Sequence, residues 1–292
     1  MRRYGLRLEQ AMEQLGNVCV GIDPHSSQLA AWGLEDNLQG LRTFSLTLVE
    51  AMAGQVPVVK PQSAFFERFG SRGIQVLEEV LAACREAGLL TILDVKRGDI
   101  GSTMAGYAQA YLSADSPLAA DAITLSPYLG YGSLAPALDL AQANGKGIYV
   151  LALTSNPEGF QVQHAQCASG KSVAADIISQ AEQTNKAGSD QGHIGDVGLV
   201  VGATTGNAAK NLGIDFSAFS GSVLSPGIGA QGATPADIQN IFEKSAFRVL
   251  ASTSRGISSA GPKVSSLQAA ARQITEPVSY THLRAHETLR YL

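Results

Sequence analysis

The chain has 292 residues, of which 45% are hydrophobic and 16% charged, and its formal net charge is −4. This balance fits a globular protein with a large core and argues against a nucleic-acid binder, which would carry a basic excess to neutralise phosphates. No run approaches the ~18 apolar residues of a membrane span, so we expect no membrane association and a cytoplasmic location.

The first element is an amphipathic helix in residues 1–16, which lack the apolar core and cleavage site of a signal peptide. Short runs rich in Val, Ile and Leu then alternate with helical patterns. Strands are predicted at 17–22, 56–60, 90–95, 121–125, 147–153, 196–202, 222–225 and 247–251. Helices are predicted at 40–53, 71–87, 102–113, 132–143, 171–187, 206–211, 234–244 and 263–274.

Near-continuous apolar strands that alternate with helices eight times predict an α/β fold, a (β/α)8 TIM barrel, formed as one domain over residues 1–276. A doubly wound open sheet is the alternative, although no G-x-G-x-x-G motif follows the first strand. Distinctive polar residues follow each strand, and in a barrel these positions form the active-site face. Turn composition explains the Pro, Gly and Asn residues there, but it does not explain two lysines and two aspartates.

Two other features bear on the limits of the fold. Residues 277–292 change composition abruptly and resemble translated cloning or adapter sequence, so we expect a non-native or disordered tail; a genuine C-terminal helix is the competing interpretation. The three cysteines, Cys19, Cys84 and Cys167, show neither metal-binding nor disulfide spacing and are expected to be reduced.

A dense charged cluster follows the third predicted strand. Asp94 and Lys96 point to the same face of a strand, Asp99 follows Gly98, and Lys60 ends the preceding strand. Four alternating charges can form a network in which each is paired, and a lysine held between carboxylates stays protonated and can act as a general acid. The competing interpretation is a structural ion-pair cluster at the barrel mouth.

The motif LDVKRGDIGST resembles the signature of the orotidine 5′-phosphate decarboxylase family. The segments VGIDPH, VVKPQSAFFERFG, LTSNPEG, LSPGIGAQG and STSRGI resemble the family's other strand ends, in order, over residues 5–275. The resemblance implies a homodimeric barrel that converts orotidine 5′-phosphate to UMP and CO₂ in de novo pyrimidine biosynthesis, without metal or cofactor.

The resemblance also implies roles for the charged cluster. Lys60, Asp94, Lys96 and Asp99 would form the family's catalytic tetrad. Lys96 would protonate C6 of the pyrimidine, Asp94 would lie beside the departing carboxylate, and Lys60 would hold Asp94 and contact the ribose. Asp99 would reach the partner subunit's site with Thr103 beside it, which implies active sites shared between two chains.

Five further residues would bind substrate by the same resemblance. Asp23 would bind the ribose, and Ser155 would lie on the pyrimidine ring. Pro226 and Gln231 belong to a Gly-rich loop that can close over the phosphate. Arg255 would bind the phosphate, and an arginine after the eighth strand independently suits the phosphate site that barrels often have after strands 7 and 8.

Two other functions stay open. Sugar-phosphate decarboxylases or aldolases of the same superfamily share the D-x-K-x-x-D layout but use Mg²⁺, and a non-catalytic barrel could bind phosphate ligands or serve as a scaffold. The sequence shows no metal-ligand spacing. His25 and Tyr128 lie near the predicted mouth, and we assign them no role.

Overall fold

The computed structural model describes residues 2–188, 192–227, 232 and 234–275. Within these ranges the chain forms a closed barrel of eight parallel strands, each paired with the next and the last with the first. The strands are β1 (Val18–Ile22), β2 (Val58–Pro61), β3 (Leu90–Arg97), β4 (Ala122–Leu125), β5 (Gly147–Leu153), β6 (Gly195–Val201), β7 (Gly221–Pro226) and β8 (Val249–Thr253). The predicted (β/α)8 barrel is confirmed.

The strands form where the sequence is apolar on both faces. All five residues of β1 and all four of β4 are buried, as expected for strands covered by helices outside and by side chains inside. Two strands begin two residues later than predicted. Pro57 cannot donate a ladder hydrogen bond before β2, and a 3₁₀ helix from Glu243 to Arg248 precedes β8.

Helices follow the strands and cover the outside of the barrel. They are α1 (Tyr4–Leu15), α2 (Ser26–Ala31), α3 (Leu38–Met52), α4 (Ala64–Glu67), α5 (Ser71–Glu86), α6 (Gly101–Leu112), α7 (Ala135–Ala143), α8 (Phe160–Gln163), α9 (Val173–Gly188), α10 (Ala208–Asn211), α11 (Pro235–Phe242), α12 (Arg255–Ser258) and α13 (264–275). Thr234 caps α11 through a reciprocal capping box with Asp237. None of the helices in the described ranges is long and apolar enough to cross a membrane.

The amphipathic helix α1 covers the end of the barrel at which the strands begin. Its buried residues Tyr4, Leu8 and Met12 belong to the cluster that fills this end. The Tyr4 hydroxyl lies 3.0 Å from that of Tyr149 in β5, and Asp196 at the start of β6 accepts a 2.8 Å hydrogen bond from the Gly5 N–H. Because α1 fills this end, a substrate must approach from the end at which the strands finish.

Candidate active site

A buried carboxylate, Asp94, lies at the centre of the charged cluster where β2, β3 and β4 end. Lys60 Nζ is 2.8 Å from its Oδ2, and Lys96 Nζ is 2.6 Å from its Oδ1. The Thr124 hydroxyl of β4 donates a third hydrogen bond, 2.8 Å long, to Oδ1. Since both carboxylate oxygens are held, the orientation of Asp94 is fixed.

The charges of Asp94 and Lys60 support each other inside the barrel. Burial alone raises the pKa of Asp94, but the ammonium groups of Lys60 and Lys96 outweigh it and hold that pKa well below its ordinary range. Burial likewise lowers the pKa of Lys60, whereas the carboxylates of Asp94 and Asp23 raise it by more. Lys60 therefore stays protonated and Asp94 ionised at neutral pH.

Lys96 differs from Lys60 in exposure and in backbone conformation. The Lys60 side chain is 9% exposed and that of Lys96 46%, so the Lys96 ammonium is available to a ligand at the mouth. The backbone of Lys96 is left-handed, with φ 46°, and the β3–β4 register shifts between Leu93 and Arg97. The sequence predicted Asp94 and Lys96 on one face of a regular strand; the two side chains do meet, but across this irregularity.

Asp99 lies apart from the other three charges within the chain. It is half-buried, and its Oδ1 accepts a 2.8 Å hydrogen bond from the Ile100 N–H. Among the described residues, no contact joins Asp99 to Lys60, Asp94 or Lys96. The predicted network of four paired charges therefore does not form within a single chain. Thr103 is exposed in the first turn of α6, close to Asp99 in sequence.

Buried polar atoms without partners are found at the same end of three strands. Asp23 follows β1, and its Oδ1 has no hydrogen-bond partner among the described residues. The same holds for the hydroxyls of Ser225 near the end of β7 and Thr253 at the end of β8. Of the three, Asp23 lies near the charged cluster, since its carboxylate raises the pKa of Lys60, and a buried acceptor without a partner suits a ligand hydroxyl group.

The remaining sequence-predicted residues lie around this end. Arg255 is exposed at the first position of α12, Ser155 is exposed after β5, and Pro226 ends β7. Gln231 lies outside the described residues. His25 packs on the ring of Phe65 with centroids 4.2 Å apart.

Thr124 is not among the site residues predicted from the sequence. It lies in the apolar run Ala122–Leu125, and its 1% exposure makes it part of the core. The signal was present as a single polar residue in a strand otherwise made of Ala, Ile and Leu. Across the described ranges, no group of three or more His, Cys, Asp or Glu side chains could hold a metal ion.

Comparisons with known proteins agree with this architecture. Residues 16–270 match the family described as orotidine 5′-phosphate decarboxylase / HUMPS. A Streptomyces coelicolor protein named orotidine 5′-phosphate decarboxylase is 54% identical over 272 residues, covering 93% of this chain and 95% of that protein. A Salinispora arenicola protein of the same name is 53% identical over 274 residues, covering 94% of this chain and 96% of that protein.

The solved structures extend the similarity to three dimensions. A crystal structure from Streptomyces avermitilis superposes with a TM-score of 0.92 at 50% identity, covering 97% of both chains. Together with the family match over most of the chain, this confirms the resemblance drawn from the strand-end motifs. The chain belongs to the orotidine 5′-phosphate decarboxylase / HUMPS family.

Proposed function

We propose that Lys96 is the proton donor in the reaction of this chain, the conversion of orotidine 5′-phosphate to UMP and CO₂. The observation that carries this role is the position of Lys96. It is the half-exposed member of a cluster whose other two charges are buried, and its ammonium is held 2.6 Å from Asp94.

The chemistry needs a cation at the reacting carbon. When the bond between C6 and the carboxylate breaks, CO₂ leaves and the electron pair stays on C6, where the pyrimidine ring cannot delocalise it. An ammonium placed beside C6 stabilises this developing charge and then transfers a proton to it. Solvent afterwards reprotonates Lys96, which its 46% exposure permits.

Asp94 and Lys60 would hold the proton donor in place. Asp94 is 5% exposed and bonded through both oxygens, so it presents a fixed anion against which Lys96 is oriented. Lys60 is the buried counter-charge of Asp94 and offsets the cost of burying that carboxylate. By the family resemblance, the carboxylate of the substrate would bind next to Asp94.

We also propose substrate-binding roles on the remaining strand ends. The unpartnered Asp23 Oδ1 suits a ribose hydroxyl, and the exposed guanidinium of Arg255 suits the phosphate, which it can bind in a bidentate manner. Ser155 would contact the base, and Pro226 would begin the loop that closes over the phosphate. By the family resemblance, Gln231 would belong to the same loop.

A homodimer with shared sites forms part of this proposal. The side chains of Ile100, Tyr128 and Leu129 are 62%, 76% and 53% exposed. They follow β3 and β4, whose end loops touch, since Ser126 N–H donates to the Arg97 carbonyl at 2.7 Å. Exposed apolar side chains grouped beside Asp99 suit a subunit contact that would carry Asp99 and Thr103 into the partner's site.

Mixing two inactive variants tests the shared site. If Asp99 serves the neighbouring subunit, mixed dimers of Lys96→Ala and Asp99→Ala contain one intact site, and a randomised equimolar mixture recovers about a quarter of wild-type activity. If Asp99 serves its own site, no intact site forms and the mixture stays inactive. Sedimentation of each variant confirms that dimers are present.

Turnover itself is measured with purified protein and orotidine 5′-phosphate. The absorbance of the orotate ring should fall while UMP accumulates, and UMP should bind in a titration. A chelator should leave the rate unchanged. Loss of activity in chelator that Mg²⁺ restores would instead favour the Mg²⁺-dependent sugar-phosphate chemistry, and UMP binding without turnover would favour a binding protein.

A further inference from the structure

We infer that Thr124 is a positioning residue whose hydroxyl sets the orientation of Asp94 and the backbone of Lys96. This inference rests on the proposed role of Lys96 as proton donor. Thr124 is the only residue of β4 that contacts both Asp94 and Lys96 through its side chain among the described hydrogen bonds.

The Thr124 hydroxyl uses its donor and its acceptor capacity at the same time. It donates to Asp94 Oδ1 at 2.8 Å and accepts from the Lys96 backbone N–H at 2.9 Å. The same Oδ1 atom receives the Lys96 ammonium at 2.6 Å. One hydroxyl on the neighbouring strand therefore holds both the Asp94 carboxylate and the Lys96 backbone in position.

The backbone hydrogen bond replaces a missing ladder contact. In a regular parallel pair, the N–H of a β3 residue bonds to a carbonyl of β4. The register shift between Leu93 and Arg97 interrupts that pattern, and Lys96 adopts φ 46°, which is unfavourable for a residue with a Cβ. The Thr124 hydroxyl supplies the acceptor that the irregular ladder lacks, and so supports the conformation that directs Lys96 toward Asp94.

Burial excludes direct contact between Thr124 and a substrate at the mouth. Thr124 is 1% exposed, whereas the Lys96 side chain is 46% exposed. Any effect of Thr124 on catalysis must therefore pass through Asp94 and Lys96. Valine has the shape of threonine without the hydroxyl, so Thr124→Val removes both hydrogen bonds with little change in volume, and Thr124→Ser keeps the hydroxyl.

The chain offers a matched control in Thr91. It is also 1% exposed, its Oγ1 donates to Asp121 Oδ2 at 3.2 Å, and it accepts from the Asp121 N–H at 3.0 Å. It lies at the opposite end of β3 from Lys96. Thr91→Val therefore removes a hydroxyl of the same kind, with an aspartate and a backbone partner, far from the proposed chemistry.

The test compares kcat and KM for orotidine 5′-phosphate in the three variants. Losing a hydrogen bond to a charged group should lower kcat of Thr124→Val about 10- to 100-fold, with KM changed less than about threefold. The acid limb of its kcat profile should move to higher pH, because Asp94 loses a donor that favours its ionised form. Thr124→Ser and Thr91→Val should both keep kcat near the wild-type value.

Either of two kinetic results would overturn the inference: a kcat for Thr124→Val equal to that of Thr91→Val, or a kcat for Thr124→Ser as low as that of Thr124→Val. A second readout does not depend on turnover. Amide hydrogen exchange at Lys96, followed by NMR, should accelerate in Thr124→Val and not in Thr91→Val. If wild-type protein fails to decarboxylate the substrate, the proposed function fails, while unchanged exchange at Lys96 would refute the positioning role alone.

Discussion

Replacing Lys96 by methionine should separate catalysis from folding. Methionine keeps much of the side-chain length and the backbone N–H that bonds to Thr124, and it removes only the ammonium. Asp94 stays paired with Lys60 and with the Thr124 hydroxyl, so no buried charge is left alone. The Lys96 side chain is half exposed, so water screens its ion pair with Asp94. We therefore expect loss of this ion pair to lower the free energy of unfolding by about 1 kcal/mol or less.

The effect on catalysis should be far larger. A positioned general acid contributes about 10²- to 10⁴-fold, and electrostatic stabilisation of the developing charge adds to this. Because Lys96 would supply both, we expect turnover to fall by at least about 10⁴-fold, or roughly 5 kcal/mol in the activation free energy. Turnover is measured by orotate absorbance at saturating substrate, and stability by urea unfolding.

Lys186→Met provides the matched control. Its ammonium lies 3.7 Å from Glu182 and its side chain is 72% exposed, so the same chemical change is made away from the strand ends. We expect wild-type turnover in this variant. A Lys96→Met protein that folds normally and retains more than about a tenth of wild-type activity would show that another group delivers the proton, since one general acid accounts for at least about 10²-fold.

Four further outcomes follow from the same contacts. Lys60→Met should cost about 3 kcal/mol of unfolding free energy by removing a buried partner of Asp94, and adding Asp94→Asn should restore part of it; equal midpoints in urea for Lys60→Met and wild type would contradict this. Arg255→Ala should weaken UMP binding about 10- to 100-fold by titration calorimetry, with Arg255→Lys intermediate, and unchanged affinity would remove Arg255 from the phosphate site. Because the native pKa of Asp94 is lowered, its contribution to stability is present above the unfolded-state pKa of about 4 and is lost as the pH falls through the native value; the acid decline in urea midpoint should be shallower in Asp94→Asn, and identical declines would refute it. Removal of residues 277–292 should leave turnover and unfolding unchanged if the fold is one domain over residues 1–276, whereas a large loss in either would show that the segment is a native element.

The barrel could be predicted because its strands carry a local signal. Buried parallel strands are apolar on both faces, so runs such as NVCVGI and GIYVLAL mark them without knowledge of their neighbours. The closeness of Lys60 and Asp94 was also predictable, since consecutive parallel strands end at the same edge. Short helices such as α8 and α12 were not predicted, because four residues carry too little periodicity to be recognised.

The irregular part of the site could not be read from the sequence. Strand alternation placed Asp94 and Lys96 on one face. The left-handed backbone at Lys96, however, depends on a register shift against β4 that the sequence of β3 does not predict. The partnership with Thr124 has the same origin, since it depends on which residue of β4 lies opposite the shift. Contacts that arise from the pairing of two elements are tertiary properties, and patterns within one element do not encode them.

The burial of Asp94 and Lys60, beside a half-exposed Lys96, explains why the irregularity is placed at Lys96. Asp94 and Lys60 can be held deep in the barrel because each neutralises the other, and this pairing keeps the Asp94 carboxylate in a fixed position. A proton donor must reach both this anion and the substrate, so it has to turn outward from the strand while its ammonium stays on Asp94. A regular extended residue would continue the β3–β4 register, whereas the left-handed backbone at Lys96 accompanies a shift in that register and leaves the side chain half exposed. The strained backbone is therefore a consequence of joining a buried anion to an accessible acid within three residues, and relief of that strain should cost activity before it costs stability.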